Sequence, residues 1–131
     1  MYLDMGDCST RVMARSGIYE PETTEYLKQH VRKGDHCVDI GANCGYFTLL
    51  FSRLVGPEGS VMAFEPNPRI YQVLERNAAH HENIETWRYA VSSKAALAIL
   101  YLDRQPGLSR LSASSTGAGM PPLPTRPPHT P

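Results

Sequence analysis

Residues 38–48 read Val-Asp-Ile-Gly-Ala-Asn-Cys-Gly-Tyr-Phe-Thr, which is typical of a buried strand, a glycine turn and the start of a helix. About one crossover later, residues 60–65 are predicted to form a second strand, with an apolar core at 61–64 and Glu65 at its end. Strands joined by a helix form a parallel sheet, so both strands should end at the same edge. A glycine turn lets a ligand approach the backbone closely, and a carboxylate can accept hydrogen bonds from a ribose diol. The pair therefore predicts a nucleoside-binding site.

The composition narrows the class of protein. The chain has 131 residues, enough for one domain, and its 13 basic and 13 acidic residues give no net charge. A nucleic acid or membrane surface held by bulk charge is therefore not expected as a partner. The sequence has neither a long apolar run nor the basic, apolar start of a signal peptide. Cys8, Cys37 and Cys44 form no Cys-x-x-Cys pair, which favours reduced thiols in a cytoplasmic protein.

Apolar periodicity predicts alternating helices and strands. Helices are predicted at 22–33, 45–55 and 67–80, and strands at 36–41, 60–65 and 84–91. The first strand has the short apolar core expected of a strand buried on both faces. Residues 95–102 suggest a fourth strand paired with the third, although their alanines also allow a helix. The predicted fold class is α/β, with the ligand crevice outside the carboxyl ends of the strands.

The composition changes abruptly after Leu111. Residues 112–131 are rich in Ser, Gly, Thr and Pro, and a segment of this kind buries too little apolar surface to offset its ordering entropy. We therefore predict a domain over residues 1–111 and a disordered tail over 112–131. A proline-rich docking motif is the alternative for the tail.

The glycine spacing separates two classes of nucleoside cofactor. A dinucleotide fingerprint, Gly-x-Gly-x-x-Gly, would place glycines at positions 43 and 46, which hold Asn43 and Tyr46. The spacing from Gly41 to Gly45 is wrong for tight approach of a pyrophosphate. Glu65 does not discriminate, because nicotinamide and adenosyl cofactors both carry a ribose diol. A nicotinamide-dependent oxidoreductase therefore stays open as the less favoured alternative.

Two runs together resemble the FkbM-type S-adenosylmethionine-dependent methyltransferases. The first is Asp-Ile-Gly-Ala-Asn-x-Gly-Tyr-Phe-Thr at residues 39–48, and the second is Val-Gly-x-x-Gly-x-Val-x-Ala-Phe-Glu-Pro-x-Pro at residues 55–68. The resemblance covers about residues 17–111. It implies a Rossmann-like class I methyltransferase fold, S-adenosylmethionine as cofactor, and O-methyl transfer to a hydroxyl of a sugar or small molecule.

The resemblance also implies a set of cofactor-binding residues. They are Asp39, Gly41, Ala42, Asn43, Gly45 and Glu65. Asp39 and the turn would lie against the methionine part of the cofactor, and Glu65 would bind the ribose hydroxyls. Glu20 is a further candidate at the mouth of the site, with an ordinary turn residue as the alternative. We assign no catalytic residue and no metal ligand, since the adjacent His80 and His81 would point apart on a helix.

The chain departs from the resemblance after the third strand. The FkbM-type enzymes continue into a fourth strand with an Asp-x-Glu-Gly-like motif and then further strands, where this chain has its low-complexity tail. We therefore expect a truncated domain without measurable activity on its own; a non-catalytic nucleoside-binding fragment or interaction module is the alternative. The first strand would expose an unpaired edge, which favours self-association.

Overall fold

The computed structural model describes residues 1–2, 17–93, 98–101 and 110–113. The strands are β1 (His36–Ile40), β2 (Ser60–Phe64), β3 (Ile84–Trp87), β4 (Ala98–Tyr101) and β5 (Arg110–Ala113), and the helices are α1 (Pro21–His30), α2 (Tyr46–Val55) and α3 (Pro68–Ala78). None of these helices combines the length and the apolar character needed to cross a bilayer.

The central feature is a parallel sheet in the order β1-β2-β3, which confirms the predicted fold class. Ile40 lies opposite Phe64, and Phe64 lies opposite Trp87, so the three strands end level with one another. The turn after β1 and Glu65 after β2 therefore leave the sheet at the same edge.

The helices α2 and α3 pack on one face of this sheet. Asp39, Ala63 and Thr86 form one row across the three strands. Thr48 of α2 bonds Asp39, and the Tyr71 hydroxyl of α3 bonds Thr86. Right-handed crossovers that progress in one direction place their helices on the same side, which explains the arrangement.

The opposite face carries exposed apolar side chains. Val38 is 51% exposed, Ile40 62% and Met62 40%. The prediction that β1 is buried on both faces is therefore wrong for the described part of the chain, because both helices that follow β1 and β2 cover the other face.

Several predicted boundaries need correction. The first helix ends at His30, three residues before the predicted end, because Val31 is extended (φ −79°, ψ 131°) and the Arg32 N–H turns to the Asp35 carboxylate. The third helix ends at Ala78, and β3 ends at Trp87 rather than at residue 91. The predicted start at Asn67 is confirmed, since its side chain accepts a hydrogen bond from the Arg69 N–H.

The strand β4 falls inside the predicted segment 95–102 but has a different partner. It pairs antiparallel with β5, with Leu100 opposite Leu111, and not with β3. The strand β5 was not predicted and runs to Ala113, past the expected boundary at Leu111. The remainder of the predicted disordered tail, residues 114–131, lies outside the described residues, as does Cys8.

We predict that the exposed face and the free side of β1 cause self-association. Among the described strands, β1 has a neighbour only in β2, and an apolar edge of this kind pairs readily with other chains. Sedimentation velocity should show association that rises with concentration, and Val38→Lys should shift the protein toward monomer. Tyr26→Lys is the control, since Tyr26 is 59% exposed but lies on α1. A wild-type chain that stays monomeric at all concentrations would contradict this prediction.

Candidate cofactor site

The turn after β1 is bonded directly to the end of β2. The N–H groups of Gly41 and Ala42 both donate to the Phe64 carbonyl at 2.9 Å. Gly41 (φ +77°) and Asn43 (φ +51°) have left-handed backbone, which glycine and asparagine adopt more readily than other residues. The local sequence therefore allows the chain to reverse sharply at the carboxyl edge of the sheet.

Glu65 joins this turn to the beginning of α3. Its buried carboxylate accepts the Asn43 N–H at 3.0 Å and the Asn67 N–H at 2.8 Å. Burial is the main cause that raises the pKa of Glu65, and the nearby charge of Asp39 raises it further, whereas the two N–H bonds lower it. An ionised carboxylate has about four acceptor positions, so Glu65 keeps capacity for a ligand hydroxyl after both bonds are made.

The carboxylate of Asp39 accepts hydrogen bonds from α2 rather than from the turn. Its buried carboxylate accepts the Thr48 hydroxyl at 2.6 Å and also the backbone N–H of Thr48. Thr48 is the third residue of α2, and Gly45, at the cap position, has no side chain to bond that N–H. Asp39 therefore caps the helix from a neighbouring strand and places negative charge at its positive end.

The two acids have different partners, although both lie close to the turn. The partner of Asp39 is Thr48, and the Asn43 N–H goes to Glu65 instead. Burial raises the pKa of Asp39, and the bonds from Thr48 oppose this rise. Neither pairing has a local signal in the sequence, because the first depends on how α2 packs on β1 and the second on how β1 and β2 align.

Gly45 and Gly41 meet different surroundings. A Cβ on Gly45 would lie 2.8 Å from the Leu74 Cδ1, so Gly45 is needed for close packing of the turn on α3. A Cβ on Gly41 would meet no atom within 4 Å. The open side of the turn is therefore at Gly41, beside Glu65. The buried side chain of Ala42 packs with Ala63 and Leu74 in the core, so its contact with a ligand would be through the backbone.

Glu20 lies on the segment that packs against the start of α2. Its backbone is left-handed (φ +43°), and its carboxylate accepts the Thr23 hydroxyl at 3.0 Å, within its own helical turn. The preceding Tyr19 has its ring 5.9 Å from that of Tyr46, centre to centre. The segment is thus near the turn, and contact of Glu20 with a cofactor stays a prediction, as it does for the other candidate residues.

Sequence reasoning missed the contribution of two residues. Asn77 donates a hydrogen bond to the Cys44 carbonyl at 2.7 Å. Trp87 ends β3 at the same edge, and its buried indole N–H has no acceptor within the described part of the chain. Its carbonyl accepts the Glu65 N–H at 3.0 Å, so this single tryptophan lies next to the site.

The parallel sheet, the glycine turn after β1 and the buried acid after β2 define a Rossmann-like class I methyltransferase fold. A family model described as protein-L-isoaspartate(D-aspartate) O-methyltransferase (PCMT) matches residues 10–106. The chain therefore belongs to this family of S-adenosylmethionine-dependent methyltransferases, and S-adenosylmethionine is its cofactor.

Individual relatives match shorter stretches. A protein-L-isoaspartate O-methyltransferase from Triticum aestivum is 37% identical over 59 residues, which cover 42% of this chain and 26% of the relative. The 31-O-demethyl-FK506 methyltransferase FkbM from Streptomyces tacrolimicus is 45% identical over 58 residues, which cover 43% of this chain and 22% of the relative.

A solved protein-L-isoaspartate O-methyltransferase structure superimposes with a TM-score of 0.51 and 26% identity. The match covers 56% of this chain and 24% of that one. The chain thus spans about a quarter of the length of each of these relatives.

We predict that Gly45→Ala destabilises the fold through Leu74. Overpacking costs about 1–3 kcal/mol, and left-handed backbone costs a residue with a Cβ a further 1–2 kcal/mol or so. Gly34→Ala is the matched control, since Gly34 also has a positive φ (+85°) but its Cβ would meet no atom within 4 Å. The free energy of unfolding, measured by urea denaturation, should fall more for Gly45→Ala than for the control. When both variants are made in a Leu74→Ala background, the difference between them should become smaller. Equal losses for the two glycines would refute the packing role.

A second prediction concerns pH. Because burial raises the pKa of Asp39 in the folded state, Asp39 favours folding when protonated. This contribution is fully present below the unfolded pKa and is lost as the pH rises through the folded one. The free energy of unfolding of the wild type, minus that of Asp39→Asn, should therefore decrease as the pH rises from about 4. Urea titrations at several pH values measure this difference in free energy of unfolding. A difference that grows with pH would contradict a raised pKa of Asp39 in the folded state.

Proposed function

We propose that this chain forms the cofactor-binding part of an FkbM-type O-methyltransferase, and that its turn at residues 41–45 and Glu65 hold S-adenosylmethionine. One observation carries the proposal: the turn and the buried acid lie at the same sheet edge and are joined by the bond between the Asn43 N–H and the Glu65 carboxylate. The open backbone at Gly41 then lies beside an acceptor suited to a ribose diol.

The hydrogen bonding of the turn favours a cofactor without phosphate. Its five N–H groups donate to protein oxygens, namely the carbonyls of Phe64 and Ala42, the carboxylate of Glu65 and the side chain of Asn43. A pyrophosphate needs such N–H groups as donors. The turn therefore suits an adenosyl cofactor better than a nicotinamide dinucleotide.

The charges near the turn support the same preference. Asp39 and Glu65 are both buried and close enough for the charge of one to raise the pKa of the other. Two carboxylates disfavour a pyrophosphate and favour a cation. S-adenosylmethionine carries its reactive methyl on a positively charged sulfur. When an acceptor oxygen takes the methyl group, the sulfur leaves as a neutral thioether and the acceptor hydroxyl loses its proton.

The proposed acceptor is a hydroxyl of a sugar or small molecule. The 45% identity over 58 residues to a methyltransferase named for FK506 supports this choice. The family model and the Triticum aestivum relative favour a second candidate, the carboxylate of a protein isoaspartate. Titration of the chain, loaded with S-adenosylhomocysteine, with a panel of sugar hydroxyl compounds and with an isoaspartyl peptide separates the two by binding, which needs no turnover.

The proposal for the chain on its own is binding without turnover. The acceptor base would come from parts of the relatives that this chain does not match, so we assign none of the described residues to that role. The absence of nucleic acid as a partner and the cytoplasmic location remain predictions.

Binding can be tested with the fluorescence of Trp87, the only tryptophan. We expect saturable changes with S-adenosylmethionine and S-adenosylhomocysteine but not with NAD. Gly41→Val should abolish them, because the side chain would fill the open space beside Glu65. Gly34→Val is the control, since Gly34 has a similar φ (+85°) and equally open surroundings before the start of β1, at the end opposite the turn. Equal binding by the two variants would remove the turn from the site.

A further inference from the structure

Asn77 is a buried side chain of α3 that makes three hydrogen bonds. Its Nδ2 donates to the Cys44 carbonyl at 2.7 Å and to the Tyr2 carbonyl at 2.9 Å. Its Oδ1 accepts the Tyr2 N–H at 2.5 Å. Both donors of the amide are therefore used, one on the turn and one on the beginning of the chain.

The bond to Cys44 fixes one peptide unit of the turn. The peptide between Cys44 and Gly45 has its carbonyl on Asn77 and its N–H on the Ala42 carbonyl, at 2.8 Å. Because a peptide unit is planar, holding both groups sets the orientation of the whole unit. This unit connects the turn to α2, so its orientation determines where the turn lies relative to the helix.

Asn77 and Glu65 hold the turn from two different elements. Glu65 follows β2 and takes the Asn43 N–H, whereas Asn77 comes from α3 and takes the Cys44 carbonyl. Cys44 is only 2% exposed, so water does not readily replace a lost partner. Loss of a hydrogen bond to a buried carbonyl is costly, and the turn would shift to relieve that cost.

Tyr2 sets the orientation of the Asn77 amide. The Tyr2 N–H donates to the Asn77 Oδ1, and the Tyr2 carbonyl accepts from the Asn77 Nδ2. These two bonds together determine which side of the amide holds the oxygen and which holds the nitrogen. The Tyr2 ring lies 5.0 Å from the Arg76 guanidinium, measured to the ring centre, which adds a cation–π contact on the same helix. The nitrogen of Asn77 is thereby directed to the turn.

We propose that Asn77 is a positioning residue for the cofactor site, and that Tyr2 locks its amide in the orientation the turn requires. The inference rests on the proposed function, since the turn it positions is the proposed cradle. Asn77 itself bonds the turn from the core side and touches no ligand.

Asn83 provides a matched control. Its amide also donates to two backbone carbonyls of the α2 region, Ser52 at 3.1 Å and Gly56 at 2.9 Å. Those carbonyls lie toward the end of α2 that is away from the turn. Loss of Asn83 therefore removes similar bonds without affecting the turn.

The experiment compares Asn77→Ala with Asn83→Ala in the full chain. Amide hydrogen exchange at Gly45, without cofactor, should be faster in Asn77→Ala than in Asn83→Ala after correction for global stability. Affinity for S-adenosylhomocysteine should fall about tenfold in Asn77→Ala alone, the effect of losing one buried hydrogen bond. Asn77→Asp, which keeps the size and the acceptor, should behave like Asn77→Ala.

Tyr2→Pro tests the lock without touching the core, because proline lacks the N–H that Asn77 accepts. Exchange at Gly45 should be faster in Tyr2→Pro than in the wild type, as it is expected to be in Asn77→Ala. Equal exchange at Gly45 in the Asn77 and Asn83 variants would overturn the positioning role. A third outcome is that exchange at Gly45 is faster in Asn77→Ala but the wild type does not bind S-adenosylhomocysteine. That outcome would support the role of Asn77 in positioning the turn and would overturn the proposed function.

Discussion

The carboxylate of Glu65 is the interaction on which the rest of the site depends. It accepts one N–H from the turn after β1 and one from the start of α3, so a single side chain sets the spacing of two connections. Burial opposes its charge, and the two N–H bonds offset part of that cost. An amide could not replace it simply, because its NH₂ group would face one of the two N–H donors. The site is therefore organised by a charge before any ligand is present.

The other contacts that position the turn and α2 are of two kinds, close packing and polar hydrogen bonds. Gly45 brings the turn against Leu74, while Asp39 caps α2 through Thr48. The turn's own N–H groups donate to oxygens of the protein. This pattern agrees with the glycine spacing in the sequence, which already disfavours a pyrophosphate.

Local signals made much of the fold predictable. The glycine turn, the acid after β2 and the Asn67-Pro68 helix start each follow from neighbouring residues, and the structure has them where the sequence placed them. Contacts between distant residues were not predictable. Asn77 and Tyr2 are 75 positions apart, and the pairing of β4 with β5 depends on a strand that has no clear alternation. The exposure of β1 likewise depends on which face the helices cover, and periodicity within one strand does not encode it.

The one-sided covering of the sheet has a consequence for synthesis of the protein. Each of the two crossovers joins strands that are neighbours in the sheet, so this part can assemble in the order in which it leaves the ribosome. During that interval the row formed by Val38, Ile40 and Met62 faces water. Chaperones bind such exposed apolar rows, and this face of the sheet is therefore a place where the nascent chain is open to capture.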